Sequence, residues 1–220
     1  MVAPARRTHG RLPVIAPELL ENGPQGAACT VVLAHGAGAP MDSPFMETFA
    51  KGLSARGHRV LRFEFPYMAA RRSGGRRPPD REELLLGTWR TVIAGLRPTR
   101  LVIGGKSMGG RMASRVADAE QVAGLLCLGY PFHPPGKPDR LRIDHLSTLS
   151  TPGLIVQGTR DPFGRPEEVA TYLLSRSIRT VWITDGDHDL RPRKSSGRSV
   201  DQNWKEAVDA AAAFVTELRP

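Results

Sequence analysis

Arg100-Leu-Val-Ile-Gly-Gly-Lys-Ser-Met-Gly-Gly-Arg-Met112 is the stretch whose reading decides the fold. Leu101, Val102 and Ile103 form a short apolar run rich in β-branched residues, the mark of a buried strand. From Met108 to Ala119 the rhythm is helical. Between the two lies Gly105-Lys106-Ser107-Met108-Gly109, a G-x-S-x-G pattern. A strand that turns this sharply into a helix strains its central residue and leaves that side chain standing clear. Glycine flanks it because Cβ atoms would collide in so tight a turn. Ser107 is therefore predicted at the carboxyl end of a strand and at the start of a helix, where N–H groups favour developing negative charge. Its functional reading is a nucleophile, and the plain alternative is a tight glycine turn.

This stretch resembles the nucleophile elbow of the α/β-hydrolase superfamily. Its Gly-Lys-Ser-Met-Gly-Gly-Arg form is similar to small, lid-poor, dienelactone-hydrolase-like members, including a group named after a testis-expressed protein. The resemblance extends from about residue 28 to the end of the chain. It implies an α/β fold with a mostly parallel, doubly wound sheet of about six to seven strands, flanked by helices and without a large cap domain. Residues 1–27 then form a loose lead-in and residues 28–220 one domain. The resemblance says little about substrate, because this superfold hosts many chemistries.

At 220 residues the chain is long enough for a full core. No apolar run approaches the ~20 residues that span a bilayer. Pro13, Pro17 and Glu18 break any apolar segment after Arg6-Arg7, so a cytoplasmic protein is expected. Cys29 and Cys127 fall in predicted strands and read as small core residues. The net charge of +9 comes mostly from dispersed arginine, densest in Arg71-Arg72-Ser73-Gly74-Gly75-Arg76-Arg77. Without interleaved aromatic residues that segment reads as a solvated loop, with a funnel for anionic substrates as the second reading. Nucleic acid is not expected as a partner.

Taken in order, residues 1–27 carry a short edge strand near Leu12–Ile15. Residues 28–34 are an uninterrupted apolar run, as in a strand covered on both faces. His35-Gly36-Ala37-Gly38 follows and resembles the loop that supplies half of an oxyanion hole. Small residues there keep the approach to a main-chain N–H clear. The donors are assigned to Ala37 and Met108, with His35 bracing the loop. A helix begins at Asp42-Ser43-Pro44 and carries Phe45, Phe49 and Leu53 on one face. Residues 59–65 form a strand in which Glu64, if buried, needs a salt bridge or a loop hydrogen bond, the sharper reading being a supporting group near the nucleophile. Tyr67 and Met68, just beyond it, are assigned as pocket walls. Asp80 is expected to cap a helix that reaches about Leu96. Residues 122–128 form another strand, and the proline-rich connection 129–150 is too short for a helical cap; its His133 and His145 are read as surface residues, with lining of the pocket as the second reading. Residues 152–158 form a strand, a helix spans about 166–175, residues 179–184 form the last strand, and an amphipathic helix over 200–218 closes the chain.

Asp161 and His188 each lie just past a predicted strand. The order Ser107, Asp161, His188 is the Ser…Asp…His order of the α/β-hydrolases. Carboxyl ends of parallel strands gather along one edge, so distant residues can meet there. The chemistry implied is esterase-type hydrolysis of a small or medium acyl ester, as in carboxylesterases or dienelactone-hydrolase-like enzymes, with neither metal nor organic cofactor. Arg111, Arg160 and the 71–77 segment would suit a carboxylate-bearing substrate, with Arg111 assigned to substrate binding. The competing reading is an interaction module that keeps the fold without catalysis. Neither substrate identity nor oligomeric state is legible.

Overall fold

The computed structural model describes residues 16–96 and 98–218. Its strands are β1 Leu19–Asn22, β2 Thr30–Ala34, β3 Arg59–Phe63, β4 Leu101–Lys106, β5 Gly124–Leu128, β6 Gly153–Gly158 and β7 Ile178–Ile183. They form one seven-stranded sheet in the order β1-β3-β2-β4-β5-β6-β7. All neighbours run parallel except β1, which pairs antiparallel with β3, Leu19 opposite Phe63. Helices α1 Pro44–Ser54, α2 Pro66–Arg72, α3 Glu82–Ala94, α4 Met108–Ser114, α5 Pro166–Val169 and α6 Val200–Glu217 connect and flank these strands. Among the described residues no helix is long and apolar enough to cross a membrane.

The strict alternation of a strand divides the apolar residues into two layers. Val31 and Leu33 of β2 pack with Phe45, Phe49 and Leu53 of α1 and with Val208, Ala211 and Val215 of α6. Val32 and Ala34 face the opposite layer, with Leu85, Trp89 and Val92 of α3 and Met112 and Ala113 of α4. Both faces of the central strands are thus covered, which is why they read as unbroken apolar runs rather than alternating ones. Ser199 caps α6 by accepting from Gln202 N, and Gln202 Oε1 accepts from Ser199 N in return.

Several local expectations are corrected. The lead-in is not wholly loose, since residues 19–22 supply β1; the edge strand expected near Leu12–Ile15 lies outside the described residues. Asp80 does not cap α3. Its carboxylate accepts from Tyr67 N at 2.8 Å, at the start of α2, and α3 begins at Glu82 behind Arg81. The helix after Ser107 ends at Ser114 rather than Ala119, and the chain continues in turns. Asp118 in that stretch binds Ser150 N, Thr151 N and Thr151 Oγ1, anchoring the crossover that leads into β6. The helix expected over 166–175 is only the single turn α5. The 129–150 connection holds one 3-10 turn, Asp144–Leu146, so no cap covers the sheet edge.

Neither histidine of that connection is a surface residue. His133 is buried, with Nδ1 2.9 Å from Pro134 O. His145 lies partly buried with Nε2 2.8 Å from Ser114 Oγ. Burial, reinforced by the Arg115 and Arg111 charges, pushes the His145 pKa down to about 4. The unfolded chain therefore binds a proton at this site between about pH 6.5 and 4 that the folded chain refuses. Stability from this group is fully present above about pH 6.5 and is lost as pH falls toward 4. His145→Gln is expected to remove part of the loss of stability over that window, of order 1–2 kcal/mol after allowing for solvent screening, as read by thermal melts from pH 7 to 4.

Candidate active site

β4 delivers the chain to its turn through two close approaches. A Cβ on Gly105, whose φ is +144°, would stand 2.0 Å from Ala34 O, and one on Gly109 would stand 2.4 Å from the same oxygen. The end of β2 therefore presses on the turn, and only glycine fits at those two positions. Ser107 itself has φ 50° and ψ −113°, a region that costs a side-chain-bearing residue roughly 1–3 kcal/mol. The surroundings impose it: Ser107 N donates to Leu128 O at 3.0 Å, and Ser107 O accepts from Arg111 N at 2.9 Å.

Three residues from three strand ends meet at this point. Ser107 Oγ lies 2.9 Å from His188 Nε2, and His188 Nδ1 lies 2.8 Å from Asp161 Oδ2. A carboxylate only accepts, so the network assigns the proton to Nδ1 and leaves Nε2 free to accept from the serine hydroxyl. Asp161 is fully buried. Its Oδ1 accepts from Phe163 N at 2.9 Å, and its Oδ2 also accepts from Gln157 Nε2 at 2.9 Å. The Phe163 ring covers the imidazole with centroids 4.2 Å apart.

Two positioning side chains escaped the sequence reading. Gln157 is fully buried on β6; its Oε1 accepts from Tyr130 N, while Nε2 faces Tyr130 O, Asp161 Oδ2 and Gly164 O. The signal for it was a glutamine inside an otherwise apolar strand. Lys106, the residue before Ser107, donates from Nζ to His188 O at 2.6 Å and pairs with Asp189 at 3.3 Å. Burial lowers its pKa, and nearby carboxylates, Asp189 first, oppose that shift. No feature of the sequence pointed that ammonium group at the loop carrying the imidazole.

His35 braces, as expected: Nε2 accepts from Phe65 N at 3.1 Å, and Nδ1 lies 2.6 Å from Gly36 O. Its burial lowers its pKa and keeps the ring neutral. Glu64 has the partners that burial demands, accepting from Met41 N and from Arg72. Tyr67 and Met68, by contrast, are not pocket walls. Both are buried in the sheet layer that faces α3, because α2 starts directly after β3 and turns them inward. The Tyr67 hydroxyl faces Ala37 O at 3.1 Å and Gly36 O at 3.3 Å. Arg111 also leaves the cleft and pairs with Glu82 at 2.8 Å. Arg160 donates to Asp185 O, and Arg71 to Arg77 O.

The cleft beside Ser107 encloses about 480 Å³. Its walls are Gly36 to Ala39, Ser43 to Met46, Lys106 and Ser107, and Phe163, His188, Asp189 and Arg191. Ala37 is in the wall, and Met108 opens α4 beside Ser107. Among the described residues no group of three or more His, Cys, Asp or Glu side chains is arranged to hold a metal ion.

Residues 27–216 match the family described as alpha/beta hydrolase domain. A serine hydrolase without a lid from Xanthomonas campestris superposes with a TM-score of 0.68 at 21% identity, covering 92% of this chain and 89% of that one. An alpha-beta serine hydrolase homologue from Coxiella burnetii gives 0.70 at 19% identity, covering 96% and 99%. An esterase domain from a Rhodothermus marinus protein gives 0.64 at 17% identity, covering 88% and 90%. At these identities the likeness is one of fold.

Proposed function

We propose that this chain, which belongs to the alpha/beta hydrolase domain family, is a serine esterase acting on small or medium acyl esters. The observation that carries this is the unbroken hydrogen-bond path from the Ser107 hydroxyl through His188 to the buried Asp161. A fold has no structural need to hold a strained serine, an imidazole and a carboxylate in that register.

In this mechanism His188 Nε2 takes the Ser107 proton as Oγ attacks the acyl carbonyl. Asp161 holds the imidazole in the useful tautomer and stabilises its protonated form. The alcohol leaves with the proton from His188. Water, activated by the same imidazole, then releases the acid from the acyl-serine. The reaction written this way requires no metal or organic cofactor.

The oxyanion is held by the N–H groups of Met108 and Ala37. As the first residue of α4, Met108 has no intrahelical acceptor for its N–H. The argument for Ala37 rests on peptide planarity. In a trans peptide the C=O and the following N–H point in opposite directions. Gly36 O is held by His35 and Tyr67, which supports reading the Ala37 N–H as the donor on the cleft side. Losing one such donor typically removes about 3 kcal/mol of transition-state stabilisation.

Tyr67→Phe therefore tests the brace. It deletes one hydroxyl from a carbonyl pair that His35 and Arg71 still contact. We expect kcat to fall about tenfold with KM changed much less, because the oxyanion forms only in the transition state. A parallel rise in KM with kcat intact would mean that the hydroxyl shapes ground-state binding instead.

The reading as a whole is tested by fluorophosphonate labelling and by a screen of short-chain p-nitrophenyl esters, each with Ser107→Ala as the control. Labelling and turnover that vanish in the control support an esterase. Absence of both in the unmodified protein, under conditions that label a known esterase, would favour an interaction module instead.

A further inference from the structure

Arg71, Arg72, Arg111 and Arg160, expected to suit an anionic substrate, are engaged elsewhere, yet the cleft does present one guanidinium. Of the cleft-lining side chains other than the imidazole of the proposed mechanism, Lys106, Asp189 and Arg191 are the charged ones. Lys106 and Asp189 compensate one another at 3.3 Å, and Asp161 is sealed behind the imidazole. Arg191 is exposed, and its guanidinium has no carboxylate within ion-pair distance among the described residues.

Its position is organised. The guanidinium carbon lies 5.3 Å from the centroid of the Trp204 ring, over its face. That ring is itself locked, with Nε1 donating to Asp189 O at 2.8 Å and its edge meeting Phe45 at 5.6 Å and 83°. The main chain is held too: Arg191 N donates to Asp187 Oδ1, and Arg191 O accepts from Asp187 N. An arginine stacked on an aromatic face keeps its planar fork of N–H donors available and loses little freedom on binding. Phe45 and Ser107 line the same cleft, and Nζ of Lys106, the residue before the nucleophile, lies 5.4 Å from the Phe45 centroid. One cleft thus brings together Ser107, the Phe45 ring and a pre-oriented guanidinium that has no ion-pair partner among the described residues.

We infer that Arg191 on its Trp204 platform is a carboxylate-recognition site, and that the preferred substrate is an ester whose acyl chain ends in a carboxylate. This rests on the esterase reading above. The acyl carbonyl sits at Ser107, the short chain crosses Phe45, and the terminal carboxylate accepts two N–H bonds from the Arg191 fork. The carboxylate stays with the enzyme after the alcohol leaves, so the same contact holds the acyl-serine for attack by water.

Binding to Ser107→Ala, read by calorimetry, tests the site without requiring turnover. Monomethyl adipate is expected to bind at least about tenfold more tightly than methyl hexanoate at low ionic strength, with the preference shrinking in salt. Adding Arg191→Met should bring the two ligands near parity, while Arg191→Lys should keep part of the preference, as a charge without the fork. In the active protein, the ratio of kcat/KM for p-nitrophenyl adipate over p-nitrophenyl hexanoate should fall about tenfold on Arg191→Met. Equal binding of the two ligands, or a preference that survives Arg191→Met, overturns the inference. Failure of the esterase reading is distinguishable, because it leaves the binding preference intact while Ser107-dependent hydrolysis of the hexanoate ester is missing.

Discussion

Ser107→Ala is expected to lower kcat on short-chain acyl esters by roughly 10⁴- to 10⁶-fold, the range seen when a triad serine is removed. The residual rate would come from the oxyanion donors and from substrate binding. The loss should not come from unfolding. Alanine tolerates φ 50° no worse than serine does, and the substitution removes only the hydroxyl facing His188. A companion change separates chemistry from strain. Ser107→Gly deletes the same hydroxyl but also relieves the side-chain penalty of that backbone region. After the entropy of an added glycine, the net gain is about 1 kcal/mol, or ~2–4 °C in Tm for a chain of this size. An inactive glycine variant that melts above the parent would show strain stored at the nucleophile. A variant that melts lower would mean that the serine conformation is relaxed.

The largest expected effect on stability belongs to Gly105→Ala. The new Cβ would lie 2.0 Å from Ala34 O and 2.8 Å from Ala34 C and N, and φ is +144°. Every one of those obstacles is backbone, so no side chain can swing aside. Ala34 and Gly105 are also paired in the β2–β4 ladder, so relief must come from separating two central strands. The cost should exceed about 4 kcal/mol, the range reserved for severe steric or core defects, and lower Tm by ~10 °C or more. Gly26→Ala is the matched control: nothing lies within 4 Å of its added Cβ, and its effect should stay within about 0.5 kcal/mol. Urea melts of the two variants side by side measure the difference, and a small effect at Gly105 would show that the two strands can part at little expense.

The places where the sequence reading failed share one character. β1 was missed because four residues, Leu19 to Asn22, become a strand only by pairing with β3 some forty residues later. Asp80 looked like a cap for the helix after it, a local inference. The acceptor it provides goes instead to Tyr67, thirteen residues back. Tyr67 and Met68 were placed correctly past a strand end but on the wrong side of it. A strand end does not say which way the next turn of chain will bend.

The sequence by itself determined the sheet strands with apolar runs, the glycine-flanked serine, and the order in which serine, acid and imidazole follow their strands. These are matters of short-range sterics and of period, and a chain carries them in its own spacing. Only the tertiary structure decided that Gln157 holds Asp161, that Lys106 reaches the His188 carbonyl, and that Arg191 rather than Arg111 or Arg160 faces the cleft. The reason is physical: a long polar side chain goes to whichever partner folding brings within reach, and that partner lies on another strand or helix.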